Sequence, residues 1–179
     1  LQDTAKTDPA FAYALILLLH KCKMVANDFG GIENLNSATV AANQNVSPSA
    51  EILKIKPSVC ADLTPAQHMA YVDMIEFAAA SGVVEAQASY SNLVAPTILT
   101  DESIKNPKRI EEYRAKSMRY YHSAAQSGYA PALQSLSFAY SDGYVTAKDD
   151  YAAYKYLQAY SLAATRRTPS LDKLLIRFQ

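Results

Sequence analysis

The 179-residue sequence predicts an all-α fold, on three observations. Hydrophobic residues make up 50% and charged residues 19% of a chain with 5 Gly and 8 Pro, a balance typical of packed helices. Asp8-Pro9, Thr64-Pro65 and Asn106-Pro107 each place a capping side chain before a proline at the first helical position, and Gly82, Gly128 and Gly143 close apolar runs of helical spacing. The stretch "AAASGVVEAQASYSNL" also recurs, 46 residues later, as "AAQSGYAPALQSLSFA". A period of that length is the mark of stacked helical hairpins.

The elements follow in order. Residues 9–27 form a first helix, opened by Asp8 and Pro9 and stopped by Asn27 and the glycines at 30–31. Its run "AFAYALILLL" is apolar almost all round, so neighbours are expected to cover it. The run is half the length a bilayer demands and lacks the basic flank and cleavage pattern of a signal peptide, which favours a buried helix of the folded domain over a membrane span. The missing N-terminal Met fits a mature secreted protein or a trimmed one.

Residues 28–63 are irregular, with two weak helical patterns, "IENLNSATVAA" and "SAEILKI", and one short helix is expected there at most. A long stretch of this kind inside a compact domain is usually functional or tied down. Cys22 and Cys60, the two cysteines, would tie it, and a bridge across 38 residues is worth about 4 kcal/mol in the chain-entropy model. It would also place the chain in an oxidising compartment; two buried thiols in a cytosolic protein are the alternative.

From Thr64 the pattern is regular. "TPAQHMAYVDMIEFAAASG" is a helix ending at Gly82, and a second begins near Val84. "APTILTDESIKNPKR" is an irregular insertion, and a helix from Asn106 to Gly128 comes next. "APALQSLSFAYSDG" is a helix ending at Gly143, "DDYAAYKYLQAYSLAAT" another, and "SLDKLLIRF", opened by Ser170, a final capping helix. Residues 1–63 thus form an N-terminal helix and long loop packed on residues 64–179, one compact domain overall.

The repeat explains the residue types. Ala78, Ala79, Ser81, Gly82, Ala86, Ser89 and Ser91 coincide with Ala124, Ala125, Ser127, Gly128, Ala132, Ser135 and Ser137. A frayed third copy matches Tyr160, Ala163 and Ala164 to Tyr121, Ala124 and Ala125. Alanines let helices approach closely, and glycine supplies the left-handed residue that ends one helix before the next.

These positions resemble the Sel-one-like repeat family, a branch of the tetratricopeptide-like repeats. Ala132, Leu136, Tyr140, Gly143 and Val145, with Asp149 behind, match the first half of its pattern, and Lys116, Tyr120, Tyr121, Ala124, Ala125 and Gly128 the second. The likeness spans roughly residues 66–165 and is strongest over 115–149. Ser137 stands where the family has glycine, and Tyr90 and Val94 replace its Leu and Tyr in the earlier copy. The resemblance implies an α-solenoid of two to three hairpins with an extra N-terminal helix. It further implies a non-catalytic protein-protein interaction module, as in bacterial envelope adaptors and in inhibitors or immunity proteins for secreted toxins, with a periplasmic or secreted location; a cytoplasmic one is the alternative.

Within the family pattern Phe138 falls at a variable, usually solvent-reaching position of the helix that lines the concave face. With Gln134, Tyr144 and its earlier counterpart Asn92 it marks a partner-binding surface. The competing role for Phe138 is to fill a gap against the following helix. Thirteen Tyr and no Trp suit either a contacted surface or a tyrosine-rich core.

Little else in the sequence suggests chemistry. Lys plus Arg and Asp plus Glu both number 17, so no net field points to nucleic acid or an anionic membrane, and "KNPKR" and "TRRTP" are too short for an RNA-binding patch. His20, His68 and His122 stand apart; His20, Cys22 and Cys60 fall short of a zinc site. No nucleophile elbow, phosphate loop or metalloprotease motif is present, and no cofactor is expected. Glu111–Glu112 and Asp149–Asp150 suit helix starts. "NVS" at 45–47 is a glycosylation sequon only in a eukaryotic secretory setting. The alternatives to a binding module are a hydrolase on a helical-repeat scaffold, using Glu76 or Glu111, and a self-associating structural scaffold.

Overall fold

The computed structural model describes residues 2–28, 30, 60–61, 64, 71–98 and 106–164. Outside them lie the expected short helix within 28–63, the sequon, Pro65 and the first turns of the helix expected after Thr64, His68 and the capping helix from Ser170. The described residues form seven helices and no strand: α1 (Gln2–Ala5), α2 (Pro9–Asp28), α3 (Tyr71–Ala80), α4 (Val84–Ile98), α5 (Pro107–Gln126), α6 (Ala130–Asp142) and α7 (Asp150–Ala163). The chain divides into two compact units, residues 1–78 and 79–179, with the division inside α3.

In the first unit, the Asp8 carboxylate accepts from the amides of Ala10 and Phe11 (3.0 Å each), capping α2 ahead of Pro9. Helix α2 buries Ala12, Ile16, Leu19, Cys22, Val25 and Ala26, one stripe at helical spacing. Leu17 and Met24 stay exposed, so the helix is amphipathic in its packing and not covered all round as its sequence suggested. It continues for 20 residues, well past the apolar run. By length and composition it could cross a membrane, a test that a core helix or a signal sequence passes equally. The Sγ atoms of Cys22 and Cys60 lie at disulfide distance, 2.03 Å, with their Cα atoms 5.3 Å apart, and the Lys23 ammonium lies 5.6 Å from the centre of the Tyr71 ring.

In the second unit, α4 packs on α5, α5 on α6 and α6 on α7, and α4 also touches α6. Small residues permit this: Ala88, Ala124 and Ala132 form one cluster, covered by Val84, Ala125 and Tyr129. Tyr121, Leu136, Ala139 and Val145 form another, flanked by Met118, Tyr140 and Tyr156. Tyr90 meets Tyr120 edge-on at 4.9 Å, and Tyr140 stacks on Tyr156 at 5.7 Å.

The glycines end helices as their spacing predicts. After α5, Gly128 adopts a left-handed φ of +82°, its amide bonds to the Ala125 carbonyl and that of Tyr129 to the Ala124 carbonyl (3.0 Å each). These are the two bonds of a Schellman motif, with Tyr129 packed back on the Ala124 cluster, the contact that often accompanies it. Gly143 ends α6 at φ +68°, and Asp149, whose amide reaches back to the Tyr140 carbonyl at 3.0 Å, caps α7 by accepting from Ala152 N at 2.9 Å.

Residues 46 apart share environments. Ala78 and Ala124 are fully buried, as are Ala86 and Ala132; Ser91 and Ser137 are buried; Gly82 and Gly128 are both left-handed; Asn92 and Phe138 are both exposed.

Candidate functional site

Because α4 and α6 touch across α5, their outward faces flank a cleft of about 140 Å³ in the second unit. Ser91, Asn92 and Ala95 line it from α4; Tyr121 comes from α5; Ser135, Phe138, Ala139 and Asp142 come from α6; Tyr144 and Val145 come from the turn that follows. The four α6 residues follow the i, i+3, i+4, i+7 rule for one helix face.

Three of the residues marked on the sequence thus come together: Asn92, Phe138 and Tyr144. Phe138 is 41% and Tyr144 43% exposed, large apolar surfaces for a folded chain to leave in water. Gln134, one turn before Phe138, is half-buried and does not line the cleft. The repeat residues lie in the core beneath: Ala124, Ala132 and Leu136 are buried, Ala125 and Tyr140 partly so, and Gly128 and Gly143 are the left-handed helix stops.

The cleft rests on a buried hydroxyl network. The Tyr113 hydroxyl lies 2.7 Å from Ser91 Oγ and donates to the Ser91 carbonyl at 3.1 Å, while Ser117 Oγ donates to the Tyr113 carbonyl at 2.8 Å. Tyr121 is buried at the base. Burial pushes the phenols of both Tyr113 and Tyr121 above their usual value near 10, with the Ser91 hydroxyl pulling the other way. Both are therefore neutral at physiological pH, Tyr121 as a lining residue of the cleft and Tyr113 as the hydrogen-bond partner of Ser91.

Asp142 was not marked on the sequence. It ends α6, where a carboxylate opposes the helix dipole, and among the described residues its side chain forms no ion pair or hydrogen bond. Lys148, the cation nearest in sequence, pairs with Asp150 at 3.4 Å. The spacing of Ser135, Phe138 and Asp142 was a signal for one face, but which face meets α4 depends on packing.

Other candidates fall elsewhere. Neither Glu76 nor Glu111 lines the cleft. His122 stands edge-on to Tyr156 at 6.0 Å, and His20 is partly buried on α2. Among the described residues no three His, Cys, Asp or Glu side chains are grouped to hold a metal. No family model, no curated protein and no solved structure matches this chain.

Proposed function

We propose that the chain is a non-catalytic protein-binding module, built on hairpins of the Sel-one-like kind, that holds a peptide segment of a partner protein in the cleft between α4 and α6. The observation that carries this reading is the exposed aromatic pair, Phe138 and Tyr144, at the rim of a cleft with a buried, hydrogen-bonded base. Aromatic side chains at a preformed depression are typical anchors, since they bury a large area at small entropic cost. The serial packing of α4 to α7, the contact of α4 with α6 and the shared environments of residues 46 apart support the solenoid reading. The cysteine pairing supports an oxidising compartment, and hence an envelope or secreted adaptor or inhibitor.

The test is selection of displayed random peptides on the full chain, followed by affinity measurements on variants. Phe138→Ala and Tyr144→Ala are expected to weaken selected peptides by at least about tenfold, the size of an anchor residue. Tyr151→Ala, which removes a 79% exposed tyrosine on α7, leaves them unchanged. Peptides that bind all variants alike, or a chain that only self-associates with rising concentration, would overturn the proposal.

A further inference from the structure

The cleft has an electrostatic character as well as a shape. Its one ionisable charge at neutral pH is the Asp142 carboxylate, and no Lys or Arg lines it. Phe138 and Asp142 stand one turn apart on the same face of α6, and Tyr144 follows two residues later. Both aromatic rings present electron-rich faces. Each of these features favours positive charge: two aromatic rings, and an unpaired carboxylate at the C-terminal end of its own helix.

We infer that the cleft selects a cationic side chain, lysine or arginine, presented by the partner protein's peptide segment. This rests on the groove reading above and adds the chemistry of what enters it. The stem of such a side chain packs between Phe138 and Tyr144 while its charged end meets Asp142. Its volume suits a cleft of about 140 Å³, which takes one long side chain rather than a folded element. Arginine fits the arrangement especially well, because its planar group stacks on rings and donates to a carboxylate at once.

The probes are the peptide acetyl-Gly-Ser-Arg-Ser-Gly-amide, the same peptide with uncharged citrulline for arginine, and methylguanidinium alone. Each is titrated into the ¹⁵N-labelled full chain at low salt. The arginine peptide is expected to shift amides of residues 91–95 and 138–145, with affinity at least about fivefold above the citrulline peptide and with loss on added salt. Asp142→Asn is expected to abolish that preference. Its melting temperature should be unchanged or raised, since the substitution relieves the clash with the dipole of α6. Equal binding of the citrulline peptide overturns the cation assignment and leaves the groove intact. Methylguanidinium binding as tightly as the peptide overturns the protein source in favour of a small cation. Absence of shifts with all three probes overturns the cation assignment, and the displayed-peptide selection then decides the groove separately.

Discussion

At the scale of single residues, Tyr113 and Ser91 hold the base of the cleft by hydrogen bonds unequal in their consequences. Tyr113→Phe removes a hydroxyl that serves both Ser91 Oγ and the Ser91 carbonyl, both buried. It should destabilise the chain by about 1–3 kcal/mol in urea unfolding. Ser91→Ala should do less, because the phenol keeps the carbonyl, and the double variant should fall below the sum of the two. A second expectation concerns pH. Burial first, and the Lys23 ammonium second, hold the His20 imidazole below its usual 6.5. The unfolded chain therefore takes up this proton more readily than the folded one. The contribution of neutral His20 to stability is complete above 6.5 and is lost as pH falls through the lowered folded value. Thermal melts of wild type and His20→Gln from about pH 7.5 to about pH 5 should converge on the acid side. Parallel curves would contradict the assignment.

Among the elements, the helix stops differ in what a side chain would meet. A Cβ at Gly143 would lie 3.2 Å from Lys148 Cβ and 3.5 Å from Lys148 N, on top of the strain of φ +68°, whereas at Gly128 nothing lies within 4 Å and strain acts alone. Gly128→Ala should cost about 1 kcal/mol and Gly143→Ala clearly more, with Asp149→Ala, which uncaps α7, near 1 kcal/mol as well, roughly the value of one cap. Unfolding midpoints in the order Gly128→Ala below Gly143→Ala would contradict this. These stops and caps were legible in the sequence because each is set by neighbours within four residues. Other features were not. α1 is four residues long, too short to carry a period, and it stands by packing on α2. Pro96 suggested the start of an irregular insertion, yet α4 runs through it to Ile98, because a proline in the last turn forfeits one bond there; Thr97 Oγ1 donates to the Val94 carbonyl at 2.7 Å alongside. Phe138, Tyr144 and Asn92 could be marked by repeat position and exposure. Asp142 and Tyr121 could not, since their place at the cleft follows from the approach of α4 to α6 across α5.

For the whole molecule, the two compact units carry different constraints. The Cys22–Cys60 pair cross-links residues 38 apart within residues 1–78 and leaves residues 79–179, with the cleft, untouched. Denatured, unreduced chain should show no free thiol. Cys22→Ser with Cys60→Ser should lower the stability of the first unit by about 4 kcal/mol while peptide binding at the cleft persists. Two titratable thiols in the unreduced protein would remove the support for an oxidising compartment. The claim on which the rest depends is that the α4–α6 cleft is where a partner is held, and hydrogen exchange with a selected peptide bound tests it most directly. Slowed exchange concentrated in residues 91–98 and 135–145 is the expected result. Protection falling instead on α2 or α7, with those two segments unchanged, would contradict it.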